Sequence, residues 1–155
     1  DRAFGAFMSV LRPAQPSDLK QLLSWVAEYH AFEGIKSDHA HRLRAISPLL
    51  NASPHGDAHI ITQHSVDVGY VIFCYGWSIE FGGAEAILDE LYLCPTMRGR
   101  GLGTIALRES IAALKVAGII LITLEVDHNN LAAQSLCRDM GFELREKNGY
   151  MVLKL

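Results

Sequence analysis

The segment R98-G-R-G-L-G103 lies between a predicted strand that ends near Cys94 and a predicted helix that begins near Leu102. Its glycines allow the backbone to direct several N–H groups at one point, and the following helix adds the positive end of its dipole. Two arginines supply full positive charges beside those groups. The segment therefore predicts a cradle for a polyphosphate, and the alternative is a tight basic turn that holds no ligand.

The same segment also partly fits two nucleotide-binding patterns. Gly101-x-Gly103-x-x-Ala106 satisfies G-x-G-x-x-A, and Glu125 follows where an acid that binds the ribose would lie. However, residues 95–98 separate the strand from the glycines, and only about 30 residues remain for the rest of a dinucleotide-binding sheet. A P-loop is excluded because no G-K-S/T is present.

Working outward, apolar periodicity predicts the element order β-α-α-β-β-β-α-β-α-β-β. The predicted elements are a strand at 9–12, helices at about 17–30 and 37–50, strands at 58–63, 68–75 and 84–94, a helix at 102–118, a strand at 119–126, a helix from 129 or 130 to 141, and two strands that flank Asn148-Gly149. This order indicates a mixed α/β fold with an antiparallel front half and a parallel centre.

Length, composition and charge limit the function classes. The chain has 155 residues, 50% hydrophobic and 20% charged, with a formal net charge of -3 at pH 7. We expect one globular domain over residues 8–155 and interpret residues 1–7 as an expression remnant. The acidic balance argues against a nucleic-acid partner, and no apolar run approaches the about 20 residues that cross a membrane.

The cysteines and histidines predict neither a disulfide framework nor a metal site. Cys74, Cys94 and Cys137 include no C-x-x-C, so we expect them to be reduced in a cytoplasmic protein. The seven histidines show no convincing ligand spacing, and no metal is predicted.

A family resemblance rests on the glycine-rich segment and both of its flanks. Arg98, Gly101 and Gly103 match the pattern Q/R-x-x-G-x-G/A. L-D-E-L-Y-L-C-P begins upstream at Leu88, and E-V-D-H-N-N-L-A-A-Q-S-L-C-R-D-M-G-F begins downstream at Glu125. In motif, flanks and element order the chain resembles the GNAT superfamily of N-acetyltransferases, with the specific match covering about residues 87–142.

The resemblance implies a GNAT-like central mixed sheet of about six or seven strands, flanked by about four helices. It also implies acetyl-CoA as co-substrate, with the pyrophosphate on backbone N–H groups and the pantetheine beside the central strand. The residues to which the resemblance gives these contacts are Leu91, Tyr92, Leu93, Arg98, Gly99, Arg100, Gly101, Leu102, Gly103, Thr104 and Asn130. An N–H near Leu91 would bind the thioester carbonyl, whereas Asn130 has helix capping as its alternative role.

The chemistry of amine acetylation requires a base. An amine of pKa about 10.4 is neutral in only about one molecule in a few thousand at pH 7. Asp89 and Glu90 are the candidates, because the resembled family often has an acid just before the L-Y-L run. Adjacent strand residues point to opposite faces, so we expect only one of them in the site and favour Glu90.

Cys137 stands where the resembled family often has a tyrosine that protonates the departing thiolate. A thiol of pKa about 8.5 is able to deliver that proton. The alternative is core packing, because Cys137 lies on the same apolar helical stripe as Leu136 and Met140. We include Cys137 among the candidate catalytic residues.

Several residues are candidates to bind the acceptor. His30 and Glu33, three apart on one predicted helix face, are suited to bind or deprotonate an amine. Glu80 lies near the predicted hairpin at Phe81-Gly82-Gly83 and is expected to join them. Each carboxylate alone has surface exposure as its alternative.

These expectations combine into one leading function. We expect an N-acetyltransferase that uses acetyl-CoA and acetylates a primary amine of a small molecule by direct attack in a ternary complex. The alternatives are a peptide or protein N-acetyltransferase and a non-catalytic acyl-CoA-binding module. Homodimers are common in the resembled family, which makes a second copy of the chain a candidate partner.

Overall fold

In the computed structural model, which describes residues 9–155, the strands form a sheet with the order β1-β2-β3-β4-β5. The strands are β1 (Leu11–Pro13), β2 (Gly56–Gln63), β3 (Val66–Ser78), β4 (Gly83–Leu93) and β5 (Leu121–Leu124). The helices are α1 (Leu19–Glu33), α2 (His39–Ile46), α3 (Leu102–Val116) and α4 (Leu131–Asp139), with 3-10 turns at Pro16–Asp18, Ser47–Leu50 and Pro95–Met97. The interpretation of residues 1–7 falls outside the described residues.

The sheet is antiparallel from β1 to β4 and becomes parallel at β5. The parallel pairing covers only Glu85–Leu88 of β4, so within the described residues the part of β4 that follows Leu88 has no strand neighbour on that side. We call this stretch of β4, residues 89–93, together with the opening beside it, the β4–β5 gap. The predicted class, a mixed α/β fold with a mixed central sheet and four helices, is confirmed.

The number of strands is smaller than predicted. The described residues contain five strands instead of six or seven, and the two strands predicted around Asn148-Gly149 are absent from them. Alternation of side chains is a local property, but a strand also needs a neighbour for its hydrogen bonds, and an isolated hairpin is only marginally stable. Residues 150–155 are exposed and form no regular element.

Packing of α1 against β3 and β4 forms the core that supports the site. Leu22, Trp25 and Val26 lie on one stripe of α1 and are almost completely buried. They pack in one cluster with Tyr70 and with residues of α2, the following 3-10 turn and the strands, including Ile46, Leu50, Ala58, Ile60, Ile72 and Tyr92. The cluster anchors α1 to the centre of the sheet.

The chain divides into two compact units after Glu125. The larger unit contains the sheet and helices α1 to α3, and the smaller unit, Val126–Leu155, contains α4. Within the smaller unit, the Asn130 side chain accepts a hydrogen bond from the Ala133 N–H at 3.1 Å and so caps α4. None of the helices in residues 9–155 is long and apolar enough to cross a membrane.

Candidate functional site

The glycine-rich segment forms a turn that leads into α3. Gly99 has φ 71° and Gly101 has φ 79°, which is the left-handed region that glycine adopts without a steric penalty. Gly101 is the N-cap of α3, and Ile105 makes the first helical hydrogen bond, to the Gly101 carbonyl at 3.1 Å. The N–H groups of residues 102–104 therefore lack intrahelical acceptors and carry the positive end of the helix dipole.

Arg98 connects this turn to the end of β4. Its Nε donates a hydrogen bond to the Leu93 carbonyl at 2.8 Å, and its guanidinium carbon lies 5.5 Å from the centre of the Tyr92 ring. Both contacts use the planar guanidinium, which lysine does not have. Arg98 thus connects the turn to the end of β4, and both Arg98 and Arg100 are exposed to solvent.

Backbone N–H groups of β4 point into the β4–β5 gap. The Cys94 N–H donates to the Val68 carbonyl at 2.8 Å and therefore faces β3. Because backbone groups alternate sides along a strand, the N–H groups of Leu91 and Leu93 face away from β3. The bond from Arg98 to the Leu93 carbonyl agrees with that alternation. The Leu91 N–H is consequently a donor directed into the gap.

Glu90 is held in place by two side chains. Its Oε1 accepts a hydrogen bond from the Tyr70 hydroxyl at 2.8 Å, and its Oε2 lies 2.7 Å from Nε2 of His30. Only 12% of the Glu90 side chain is exposed. Burial raises the pKa of Glu90 above its usual value, and the hydrogen bonds from His30 and Tyr70 offset part of that rise. Glu90 is therefore a buried, oriented carboxylate beside the gap.

A bulge in β4 changes the relation between Asp89 and Glu90. In the β3–β4 register Phe73 pairs with Leu88 and Ile72 pairs with Glu90, so Asp89 is the extra residue. The sequence analysis assumed that adjacent strand residues point to opposite faces, and this assumption does not hold at a bulge. Both acids act on the same hydroxyl: the pKa of Tyr29 is raised to about 12, first by burial and then by the charges of Glu33, Glu90 and Asp89.

Asp89 and Glu90 nevertheless have different environments. Asp89 is exposed at the bulge, although nearby protein atoms displace enough water to raise its pKa, an effect that His30 would partly offset when protonated. Glu90 is enclosed and makes defined hydrogen bonds. Both acids thus lie near Tyr29 on the α1 side of the sheet, and only Glu90 is fixed by side-chain partners that the structure shows.

The acceptor residues expected from the sequence are only partly brought together. His30 contacts Glu90 and, through Nδ1, the Ser37 hydroxyl at 2.7 Å, so its partner is Glu90 rather than Glu33. Glu33, at the end of α1, contributes its charge near Tyr29. Glu80 lies in the β3–β4 turn beyond Ser78, roughly 20 Å along the ladder from Glu90, because each strand residue advances about 3.3 Å.

Tyr70 and Trp25 had no assigned role in the sequence analysis, which gave Tyr92 only a contact with the co-substrate. Tyr70 is completely buried in an apolar strand, and the need of a buried tyrosine hydroxyl for a partner is the signal that could have indicated a polar contact there. Trp25, Tyr70 and Tyr92 stack with ring centres 5.5–6.4 Å apart. The Tyr92 hydroxyl donates a hydrogen bond to Glu28 of α1. Aromatic packing therefore connects α1 to the strand that lines the gap.

Asn130 and Cys137 belong to the smaller unit, and their expected roles toward the acetyl donor stay predictions. Asn130 has the capping role that was its alternative. Cys137 is half-buried in α4, and burial raises the pKa of its thiol. Over residues 9–155, no group of three or more His, Cys, Asp or Glu side chains is arranged to hold a metal ion.

Comparison with known proteins identifies the family. The model of the "Acetyltransferase (GNAT) family" matches residues 19–142, which is most of the chain. Thialysine N-epsilon-acetyltransferase of Mus musculus is 25% identical, covering 91% of this chain and 88% of that protein. The integron cassette protein HFX_CASS3 from the mobile metagenome of Cole Harbour Salt Marsh has a TM-score of 0.77 and 26% identity, covering 94% of this chain and 89% of that one.

A more distant structure has the same fold. The aminoglycoside 6'-N-acetyltransferase AAC(6')-IG from Acinetobacter haemolyticus has a TM-score of 0.73 and 17% identity, covering 94% of this chain and 98% of that one. The family's enzymes use acetyl-CoA as co-substrate. The left-handed glycines before α3, the β4–β5 gap and the family match agree with one another, and the chain belongs to the GNAT family of acetyltransferases.

Proposed function

We propose that this protein transfers the acetyl group of acetyl-CoA to a primary amine of a small molecule, by direct attack within a ternary complex. The observation that carries the proposal is the position of Glu90, a buried carboxylate one residue before the Leu91 N–H that points into the β4–β5 gap. A proton acceptor and a carbonyl-binding donor are thus adjacent on one strand.

The residues present fit acetyl-CoA. The N–H groups of Leu102, Gly103 and Thr104 at the start of α3 would hold the pyrophosphate, with Arg98 and Arg100 beside them. Residues 91–93 would lie along the pantetheine arm, which the gap-facing backbone groups of Leu91 and the Leu93 N–H would contact. Acetyl-CoA would supply an activated thioester, and the Leu91 N–H would stabilise negative charge that develops on its carbonyl oxygen. Asn130 and Cys137 remain candidates for a pantetheine contact and a general acid.

Arg98→Lys tests the connection between the turn and β4. Lysine keeps the charge but loses both the Nε bond to Leu93 and the stacking on Tyr92, each worth about 1 kcal/mol. We expect acetyl-CoA to bind about 10-fold more weakly in isothermal titration calorimetry. Arg100→Lys is the matched control, since Arg100 is likewise exposed but the contacts to Leu93 and Tyr92 belong to Arg98, and it should change the affinity less than about threefold. Equal losses in the two variants would contradict the role given to Arg98.

Glu90 would take the proton that the acceptor must lose. Its carboxylate is anchored by Tyr70 and His30, and its raised pKa brings its proton affinity closer to that of the amine. The remaining lone pairs of the two carboxylate oxygens are free to accept a proton directly or through a water. Glu90 would thereby hold the proton that the amine loses, while the Leu91 N–H would bind the thioester carbonyl that the neutral amine attacks.

The acceptor would be a cation in its resting form. Asp89, Glu90 and Glu33 all place negative charge near the Tyr29 hydroxyl, where an ammonium group would be attracted. The mouse relative is named for thialysine, a small amino acid with a side-chain amine. A small cationic amine fits this charge pattern better than a neutral or anionic acceptor.

A panel of amines tests the proposed acceptor class. CoA release would be measured with acetyl-CoA and S-(2-aminoethyl)-L-cysteine, L-lysine, spermidine, an aminoglycoside and an N-terminal alanine peptide. We expect turnover to be fastest with a small amine that carries a primary aminoalkyl group. Faster turnover of the peptide than of every free amine would favour a peptide or protein acetyltransferase. Tight binding of acetyl-CoA without turnover of any amine would contradict the proposed function.

A further inference from the structure

A chain of hydrogen bonds extends from Glu90 to the segment between α1 and α2. His30, buried on α1, contacts Glu90 through Nε2 and Ser37 through Nδ1, each at 2.7 Å. Nη1 of Arg42 donates to the Ser37 hydroxyl oxygen at 3.1 Å and also to the Ser37 carbonyl. Ser37 and Arg42 lie outside the cofactor cradle and the gap, yet they are connected to the proposed base.

Only one of these bonds has a fixed direction: arginine only donates, so the Ser37 oxygen accepts from Arg42 through one of its two lone pairs. The direction of the Ser37–His30 bond depends on the His30 tautomer, and the Ser37 hydroxyl proton is available to donate to Nδ1 when that nitrogen carries no proton. A neutral imidazole that accepts at Nδ1 carries its proton at Nε2. That proton faces Glu90, which is the arrangement that an ionised carboxylate requires.

We propose that Ser37, oriented by Arg42, is a positioning residue for the base Glu90 and acts by keeping His30 neutral with its proton on Nε2. The inference rests on the proposed function of Glu90. If Nδ1 gained a proton, His30 would become a cation paired with Glu90, and the charge-assisted bond would lower the proton affinity of the carboxylate. A Ser37 hydroxyl that donates to Nδ1 would have to rotate and accept instead, on an oxygen that already accepts from Arg42, and this opposes the second protonation.

Other charged and titratable groups surround the ring. They are Asp89 and Glu90 from β4, Tyr70 from β3, Tyr29 and Glu33 from α1, and Arg42 and the capping residue Asp38 from the α2 side. The acids favour a second proton on His30, whereas the charge of Arg42 opposes it. Ser37 is half-buried and lines a surface hollow with Ile35, Lys36, Asp38, His41 and Arg44. The second proton of His30 would therefore reach Nδ1 from solvent in this hollow.

Ring nitrogen NMR of the free protein tests the inference without any acceptor. The pH titration of the His30 ring would be followed in histidine-labelled wild type, Ser37→Ala and Ser37→Thr, with His30→Gln to assign the signal. In the alanine variant we expect Nδ1 to gain its proton at a higher pH, because the donor is gone and water in the hollow accepts instead. Threonine keeps the hydroxyl and should titrate like the wild type.

Kinetics with the fastest amine of the panel give a second readout. At pH 6 we expect Ser37→Ala to lower kcat about fivefold, the effect of one hydrogen bond, with an unchanged KM for acetyl-CoA and an acidic limb displaced to higher pH. In a His30→Gln background the alanine substitution should have no further effect, because glutamine donates to Glu90 but takes no second proton.

The two readouts separate the inference from the proposed function. An unchanged His30 titration in Ser37→Ala, a shift to lower pH, or an equal effect in Ser37→Thr would overturn the inference, whatever the enzyme acetylates. A persistent effect of Ser37→Ala on kcat in the His30→Gln background would also overturn it. Absence of turnover with every amine, together with the expected NMR shift, would count against the proposed function alone.

Discussion

Gly101→Val is expected to weaken acetyl-CoA binding by about 100-fold, roughly 2.7 kcal/mol, since losing one or two hydrogen bonds from backbone N–H groups to a charged phosphate costs about that much. Gly101 has φ 79°, and a branched L side chain at this φ is strained by about 1–2 kcal/mol or more. A Cβ there would meet no atom within 4 Å, so the strain is purely one of backbone conformation. The turn would relax by rotating the N–H groups at the start of α3 away from their common point.

Gly82→Val provides a matched control for the strain itself. Gly82 has φ 76°, and a Cβ there also meets no atom within 4 Å, but it lies in the β3–β4 turn. Both variants should lower Tm by roughly 2–8 °C in a thermal melt. Only Gly101→Val should lose acetyl-CoA affinity in calorimetry. Equal affinities in the two variants would show that the turn before α3 does not hold the pyrophosphate.

Local patterns in the sequence were sufficient to predict the mixed α/β class. The helical period of Leu22, Val26 and their neighbours and the strand period before Cys94 depend only on residues close in the chain. The positive φ angles at Gly99 and Gly101 likewise follow from local geometry, because a turn of this kind favours glycine. The pattern around Asn148-Gly149 is equally local, but strand formation there requires a distant neighbour.

The arrangement around Glu90 could not be predicted from local patterns. The bulge at Asp89 follows from the register in which β4 pairs with β3, which periodicity within one strand does not reveal. His30 and Glu90 are 60 positions apart in the chain, whereas the predicted pair of His30 and Glu33 relied on helical spacing. Sequence spacing identified His30, Glu33 and Glu90 as candidate residues of the site. Tertiary packing determined that His30 contacts Glu90.

Glu90→Gln is expected to lower kcat by about 10²- to 10⁴-fold, the usual contribution of a general base. Glutamine has nearly the same shape and can still contact Tyr70 and His30, but it does not accept a proton from the acceptor. The affinity for acetyl-CoA should be unchanged. The wild-type acidic limb of kcat/KM should lie above the ordinary glutamate pKa of about 4.3, because burial raises the pKa of Glu90, and the limb should vanish in the variant.

Stability measurements distinguish loss of the base from damage to the fold. A carboxyl whose pKa is raised on folding stabilises the folded state at low pH, and this stabilisation is lost as pH rises through the folded pKa. The Tm of Glu90→Gln relative to wild type should therefore increase between pH 4 and pH 8.

Glu85→Gln, an isosteric change on the same strand, serves as the kinetic control. A larger loss of kcat in Asp89→Asn than in Glu90→Gln would assign the base to Asp89, because both acids lie near Tyr29 and only one of them needs to accept the proton.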